Sequence, residues 1–182
     1  MTAPGTGAGL LPVVQEPRVR KCGHYLAEDL TRHEALVLAH LVSDLNAIEI
    51  ADAVNAMPER RGSAAMTPDT ARGHLESLRH KAKAQTWPQL VDTACRMRLL
   101  LPPRARLTKP LPESAMTSLQ LLVDGLTNRQ VATMRGISAN TVGKHLEEIR
   151  HRVRTRGTPA AVFRLHGVPD VLDDTCPICG EG

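Results

Sequence analysis

This sequence repeats itself, and an internal repeat constrains architecture before any motif does. Residues 30–51 read LTRHEALVLAHLVSDLNAIEIA and residues 111–132 read LPESAMTSLQLLVDGLTNRQVA. Leu30 falls against Leu111, Leu45 against Leu126 and Ala51 against Ala132, at a constant offset of 81. A second block, TPDTARGHLESLRHK at 67–81, matches SANTVGKHLEEIRHR at 138–152 at an offset of 71. The first copy therefore carries ten extra residues between its blocks. Two small units of one kind are expected.

Periodicity makes those units helical. Leu36, Val37, Leu38 and Leu41 include the i, i+3/i+4 spacing of a core-facing stripe. Thr31 is placed to cap that helix, with Glu34 completing a capping box. A short second helix is expected over about 47–56, with Ile48, Ile50, Ala51 and Val54 apolar. MPERRGSAAM at 57–66 reads as a loop. Thr67-Pro68 opens a third helix running to about 83, and Trp87-Pro88 starts a fourth through PQLVDTACRMRLLL. The second copy repeats the order, with helices over about 112–124, 127–134 and 139–154 and a last one from Thr158-Pro159. Turns are expected at Asp124-Gly125 and Arg135-Gly136, and Ser138 caps the long helix. The only aromatic residues besides histidine are Tyr25, Trp87 and Phe163, which suits a small helical bundle and not a β-sandwich.

The expected fold is all-α: two tandem four-helix units, with a flexible N-terminal arm. Residues 1–20 form the arm, 21–100 the first unit with its ten-residue insertion, 101–110 a Pro-rich linker, 111–167 the second unit and 168–182 a tail. No apolar run approaches the roughly 20 residues that cross a bilayer, so no membrane partner is expected. The N-terminus lacks the basic region and long apolar stretch of a signal peptide, which points to a cytoplasmic location.

A short helix, a tight turn and a longer capped helix make the helix-turn-helix arrangement, whose second helix enters the major groove of DNA. Ser138, Asn140 and Thr141 place hydroxyl, amide and free backbone N–H groups at a helix start, where phosphate oxygens bind well. Positive charge follows along the long helix and past its end at Lys144, Arg150, Arg152, Arg154 and Arg156, and in the first copy at Arg72, Arg79, Lys81 and Lys83. Net charge is only +4, so placement matters more than the total. A basic run on one helix is usually a solvated face. Here it recurs in the same context twice.

On these residues both units resemble the LuxR-type (GerE-like) DNA-binding domain of bacterial regulators, whose pattern reads roughly LTxRExEVLxLLAxGlsnkEIA and then iSxxTVkxHlxnI. ISANTVGKHLEEI in the second copy is close to the latter. The resemblance implies a sequence-specific, non-enzymatic transcription regulator whose partner is double-stranded DNA. It also implies homodimerisation through the fourth helix, and RNA polymerase is a further candidate partner. Carried over by position, the DNA-binding set is Thr67, Asp69, Thr70, Arg72, Gly73, Arg79 and Lys81 in the first unit. In the second it is Ser138, Asn140, Thr141, Gly143, Lys144, Glu147 and Arg150. Two copies in one chain could mimic the dimer and read a pseudo-palindrome about one helical turn across.

Departures from the pattern are specific. Ala71 replaces the valine of Thr-Val, and Gly143 stands where the basic residue follows that pair, with Lys144 one step on. Glu76 and Glu147 occupy the next reading position; glutamate accepts from cytosine but repels phosphate. Ser114-Ala115 replaces the family's Arg-Glu pair. The alternative reading is a protein-interaction module acting on RNA polymerase or another regulator, with one or both units not reading DNA. No Gly-rich phosphate loop, carboxylate pair or Ser/Cys–His constellation suggests an enzyme.

Cys176-Pro-Ile-Cys179-Gly has zinc-knuckle spacing and supplies two of the four ligands of a structural Zn2+ site. Cys22 and His24 are the natural other pair, and zinc would then staple the termini. The alternative is a tail with two reduced thiols. Cys95 lies in an apolar helical context and reads as a buried thiol. His74 and His145 each precede a leucine and read as packed, hydrogen-bonded structural residues. Arg60 and Arg61 in the insertion read equally as surface loop or phosphate contact.

Overall fold

Capping side chains decide where the helices begin. The computed structural model describes residues 30–58 and 64–172, and among them are eight α-helices and no strand. In the first half these are α1 (Arg32–Leu41), α2 (Ala47–Asn55), α3 (Pro68–Lys81) and α4 (Trp87–Arg96). In the second they are α5 (Glu113–Val123), α6 (Asn128–Arg135), α7 (Ala139–Val153) and α8 (Thr158–His166). Thr31 and Glu34 form the expected capping box on α1. The sequence reading missed two more, Asn46 with Glu49 on α2 and Thr127 with Gln130 on α6, at one repeat position. Thr67 and Ser138 cap α3 and α7 by accepting the N–H of Thr70 and Thr141. Each such cap contributes about 1 kcal/mol.

One boundary differs from expectation. The fourth helix was expected to continue through Leu101, yet α4 ends at Arg96 because Arg98 turns left-handed at φ 59°. Arg98 N–H then donates to the Cys95 carbonyl and Leu99 N–H to the Ala94 carbonyl, a Schellman stop. That turn drives Leu99 and Leu100 into the core, a gain that continuing the helix would forgo. The Pro-rich segment that follows is packed against the helices it connects. Leu107 and Leu111 pack on the core, Ala105 N–H donates to the Gly167 carbonyl, and Arg152 reaches the Pro110 carbonyl.

Ten extra residues fit between α2 and α3 because Asn55 clamps their base. Its side chain donates to the Met66 carbonyl at 2.9 Å and accepts the Met66 N–H at 2.7 Å. In the second half Gly136 makes the corresponding turn directly, at φ 63°, a conformation glycine adopts without steric cost. Helix α3 packs on α1 and α2, and α7 on α5 and α6. Leu38, Ile50 and Leu78 fill one core, Leu119, Val131 and Ile149 the other. The most extensive helix pairing joins the halves: α4 lies on α8, burying Leu90, Val91 and Leu165 in one continuous cluster.

Cys95 is buried, as expected. Cys22, His24, Cys176 and Cys179, and with them the knuckle, lie outside the described residues, as do Arg60 and Arg61. Among the described residues no group of three or more His, Cys, Asp and Glu is placed to hold a metal, and no helix is long and apolar enough to cross a membrane.

Candidate nucleic-acid interface

Because Ala71, Leu75 and Leu78 turn α3 into the core, its other face is left outward, and Val142, Leu146 and Ile149 do the same for α7. Thr67, Asp69, Thr70, Arg72 and Gly73 are exposed on the first helix, and Ser138, Asn140, Lys144 and Glu147 on the second. Thr141, Gly143 and Arg150 are half-buried on α7, as Arg79 is on α3. Neither Gly73 nor Gly143 is required by its backbone, since a Cβ there would meet nothing within 4 Å.

Charge is arranged differently on the two faces. On α3 each arginine is already answered one turn back, Arg72 by Asp69 at 2.5 Å and Arg79 by Glu76 at 2.8 Å. Lys81, in the expected DNA set, is instead committed to Glu34 of α1 at 2.8 Å. On α7 Lys144 stands exposed beside Gly143, one position on from Arg72 in the repeat. One residue is about 100° around a helix, so the two cations point in different directions. In the last turn of α7 Arg152 is tied to Glu148 at 2.6 Å, and past the helix Arg156 donates to the Asp44 carbonyl at 2.8 Å.

The histidines behave as structural groups. His145 Nδ1 lies 2.8 Å from Ser118 Oγ and 3.3 Å from Arg135, which also donates to the Ser114 carbonyl. His74 stacks on His33 with ring centroids 5.6 Å apart and planes 8° apart.

Glu34, which motif reading valued only as a cap, is the centre of a buried cluster. Its carboxylate accepts from Ser77 Oγ at 2.6 Å, Lys81 Nζ at 2.8 Å and Thr31 N–H at 2.8 Å. Burial alone would raise its pKa; the Lys81 ammonium and these hydrogen bonds outweigh burial and hold it at about 2, against 4.5 ordinarily. Sequence reasoning also missed the contacts between halves. Asp44 Oδ1 accepts the Gly157 N–H at 2.7 Å and Oδ2 the Arg156 N–H at 3.0 Å, capping α8 from the α1–α2 turn. Thr86, the N-cap of α4, donates to the Leu122 carbonyl at 3.0 Å near the α5–α6 turn. His166 of α8 meets Asp92 of α4 at 2.9 Å, and Arg96 approaches the same carboxylate at 3.3 Å.

Residues 112–165 match the family model described as GerE, bacterial regulatory proteins, luxR family. No curated protein and no solved structure matches the chain. The matched segment spans α5 to α8, with the short helix, Gly136 turn and capped long helix that the family uses on DNA. Over these residues the chain carries a LuxR-type helix-turn-helix domain, the DNA-binding domain of a transcription regulator.

Proposed function

We propose that both halves are LuxR-like units joined as an intramolecular pseudo-dimer, and that they read DNA unequally. The observation that carries this is a reciprocal interface. The turn after α1 meets the start of α8 through Asp44, the last turn of α5 meets the start of α4 through Leu122 and Thr86, and α4 packs on α8 between them. Reciprocity of that kind is the signature of a two-fold interface, here within one chain. In a LuxR-type dimer the fourth helices make the contact, and two reading helices so related address half-sites about 10 base pairs apart. The second half is the stronger reader on this view, because Lys144 is exposed while Arg72 and Arg79 are neutralised within α3.

Selecting bound fragments from a random duplex pool tests the proposal. Two half-sites about one helical turn apart, one better specified, is the expected outcome. A single half-site would leave the first half without a base-reading role. That result would favour the second reading, in which the acid-paired face of α3 contacts a protein such as RNA polymerase. Absence of DNA affinity even at low salt would overturn both halves of the proposal.

We also propose that Cys22, His24, Cys176 and Cys179 hold one structural zinc, on the strength of the Cys-x-x-Cys spacing and zinc's need for four ligands. Metal analysis of the purified chain should give one zinc per molecule; a folded chain with markedly less would remove it.

A further inference from the structure

Between the halves, beside the reading faces, lies a cavity of about 500 Å³. That is within the range of roughly 300–1,000 Å³ typical of small-molecule sites. Trp87 and Leu146 give it apolar wall, and Glu76, Arg79, Arg150 and Thr158 give it polar wall. Its charge is uneven. Arg79 is held by Glu76 at 2.8 Å and also donates to the Ala84 carbonyl, so that cation is cancelled and its donors are engaged. Among the described residues Arg150 makes one long contact, 3.4 Å to Thr158 Oγ1, out of the five N–H donors a guanidinium offers. The cavity therefore holds one unanswered positive charge next to an aromatic face.

We propose that this cavity binds a small organic monoanion, with its carboxylate on the Arg150 fork and its flat body against Trp87. A guanidinium matches a carboxylate with two parallel hydrogen bonds, and an indole offers a broad apolar surface for an aromatic ring. With Arg79 and Glu76 answering each other, the cavity offers one net positive charge, which matches a monoanion. This inference does not depend on the DNA reading, since it uses only the cavity wall, although Glu76 of the expected reading position and Arg150 of the expected DNA-binding set belong to that wall. Arg150 is thereby assigned to the cavity wall and not to the DNA face.

Trp87 is the chain's single tryptophan, so its fluorescence reports on this site alone. The full chain is titrated with sodium benzoate and, in parallel, with benzyl alcohol and with sodium chloride at matched ionic strength. Benzoate should give a saturable change with a midpoint on the order of 1 mM, as its small size allows. Benzyl alcohol should bind at least ~10-fold more weakly, and Arg150→Gln should weaken benzoate by a similar factor at unchanged far-UV circular dichroism. Glu76→Gln, on an exposed position, should tighten benzoate because it leaves the Arg79 guanidinium of the same cavity without its carboxylate. Lack of saturation, equal response to benzyl alcohol, or identical titrations in Arg150→Gln and Glu76→Gln would each overturn the proposal.

Discussion

Both halves face the same problem, holding the third helix of the unit against the first, and they solve it with charge in different places. In the first half the carboxylate sits on α1 as Glu34, nearly buried, and binds Ser77 and Lys81 of α3. In the second half that position is Ala115, also buried, and the carboxylate has moved to α7 as Glu148, at the repeat position of Ser77. Arg152, at the position of Lys81, turns to Glu148 on its own helix. One arrangement crosses between helices and the other runs along one helix. Equivalent folds thus need an answered charge and a filled core, and they do not need the same partners.

The largest expected effect tests that contrast. Glu34→Gln removes the carboxylate charge that Glu34 sets against Lys81, at a site where the carboxyl pKa falls from 4.5 to about 2. A depression of that size corresponds to roughly 3 kcal/mol of stability. Urea denaturation should show a loss of that order, while Glu148→Gln, at a half-exposed i, i+4 pair, should lose less than about 1 kcal/mol. The sign in acid follows from the same depression. Glu34 contributes fully above pH 4.5, and its contribution declines as pH falls from there through about 2. Equal losses for the two variants would show that the along-helix pair is as important as the buried cluster.

The sequence was legible where structure is local. Thr31, Thr67 and Ser138 announce helix starts within four residues of themselves, and the turn at Gly136 is written in one residue. The run Met97–Leu101 looks like more helix, because apolarity alone cannot distinguish another turn from a Schellman stop that buries Leu99 and Leu100. Contacts between elements were out of reach. The Ser77 and Lys81 bonds to Glu34 span 43 and 47 residues, and Asp44 reaches Gly157 across 113. A trace of the last was present, since Asp44 shares its repeat position with Gly125 and both take positive φ. Which face of α3 is neutralised was likewise hidden, for the sequence puts Asp69 in the DNA-binding set and Glu76 at a reading position without showing that they pair with Arg72 and Arg79.

Asp44 offers the next largest effect, because it holds the halves together from one side only. Asp44→Ala removes two acceptors from the start of α8, whose own N-cap, Gly157, supplies no side chain. A loss of about 1–2 kcal/mol is expected, at the upper end of cap substitutions, since both N–H groups lie at the junction. If the halves act as a pseudo-dimer, the variant should also bind a two-half-site duplex more weakly while its affinity for a single half-site stays the same. Equal loss on both duplexes would place the damage in folding and not in the spacing of the halves.

The reading faces should separate by about 1 kcal/mol. Lys144→Ala removes an exposed cation and should weaken DNA binding about uniformly across sequences, lowering the salt slope by about 1. Arg72→Ala removes a cation that Asp69 already answers and should cost less. Asp69→Asn should then strengthen binding by freeing Arg72, which is the sharper test. If Asp69→Asn is neutral and Arg72→Ala is as damaging as Lys144→Ala, then Arg72 leaves Asp69 on binding and the two halves read alike.

The smallest effect concerns a histidine that only the first half has. His40 is buried on α1 where the second half places Leu121, and its Nδ1 finds no hydrogen-bond partner among the described residues. Burial pushes its pKa below 6.5, so the folded chain refuses a proton that the unfolded chain accepts. Stability from this residue is therefore intact above pH 6.5 and declines as pH falls below it, with a slope approaching about 1 kcal/mol per pH unit at most. The decisive quantity is the difference between the wild-type chain and His40→Leu. That difference should shift toward the variant between pH 7 and pH 5, because leucine has no proton to exclude and already fits the matching position of the second half. A difference that does not change with pH would mean His40 is protonated in place, with the α1 surface opening to hydrate it.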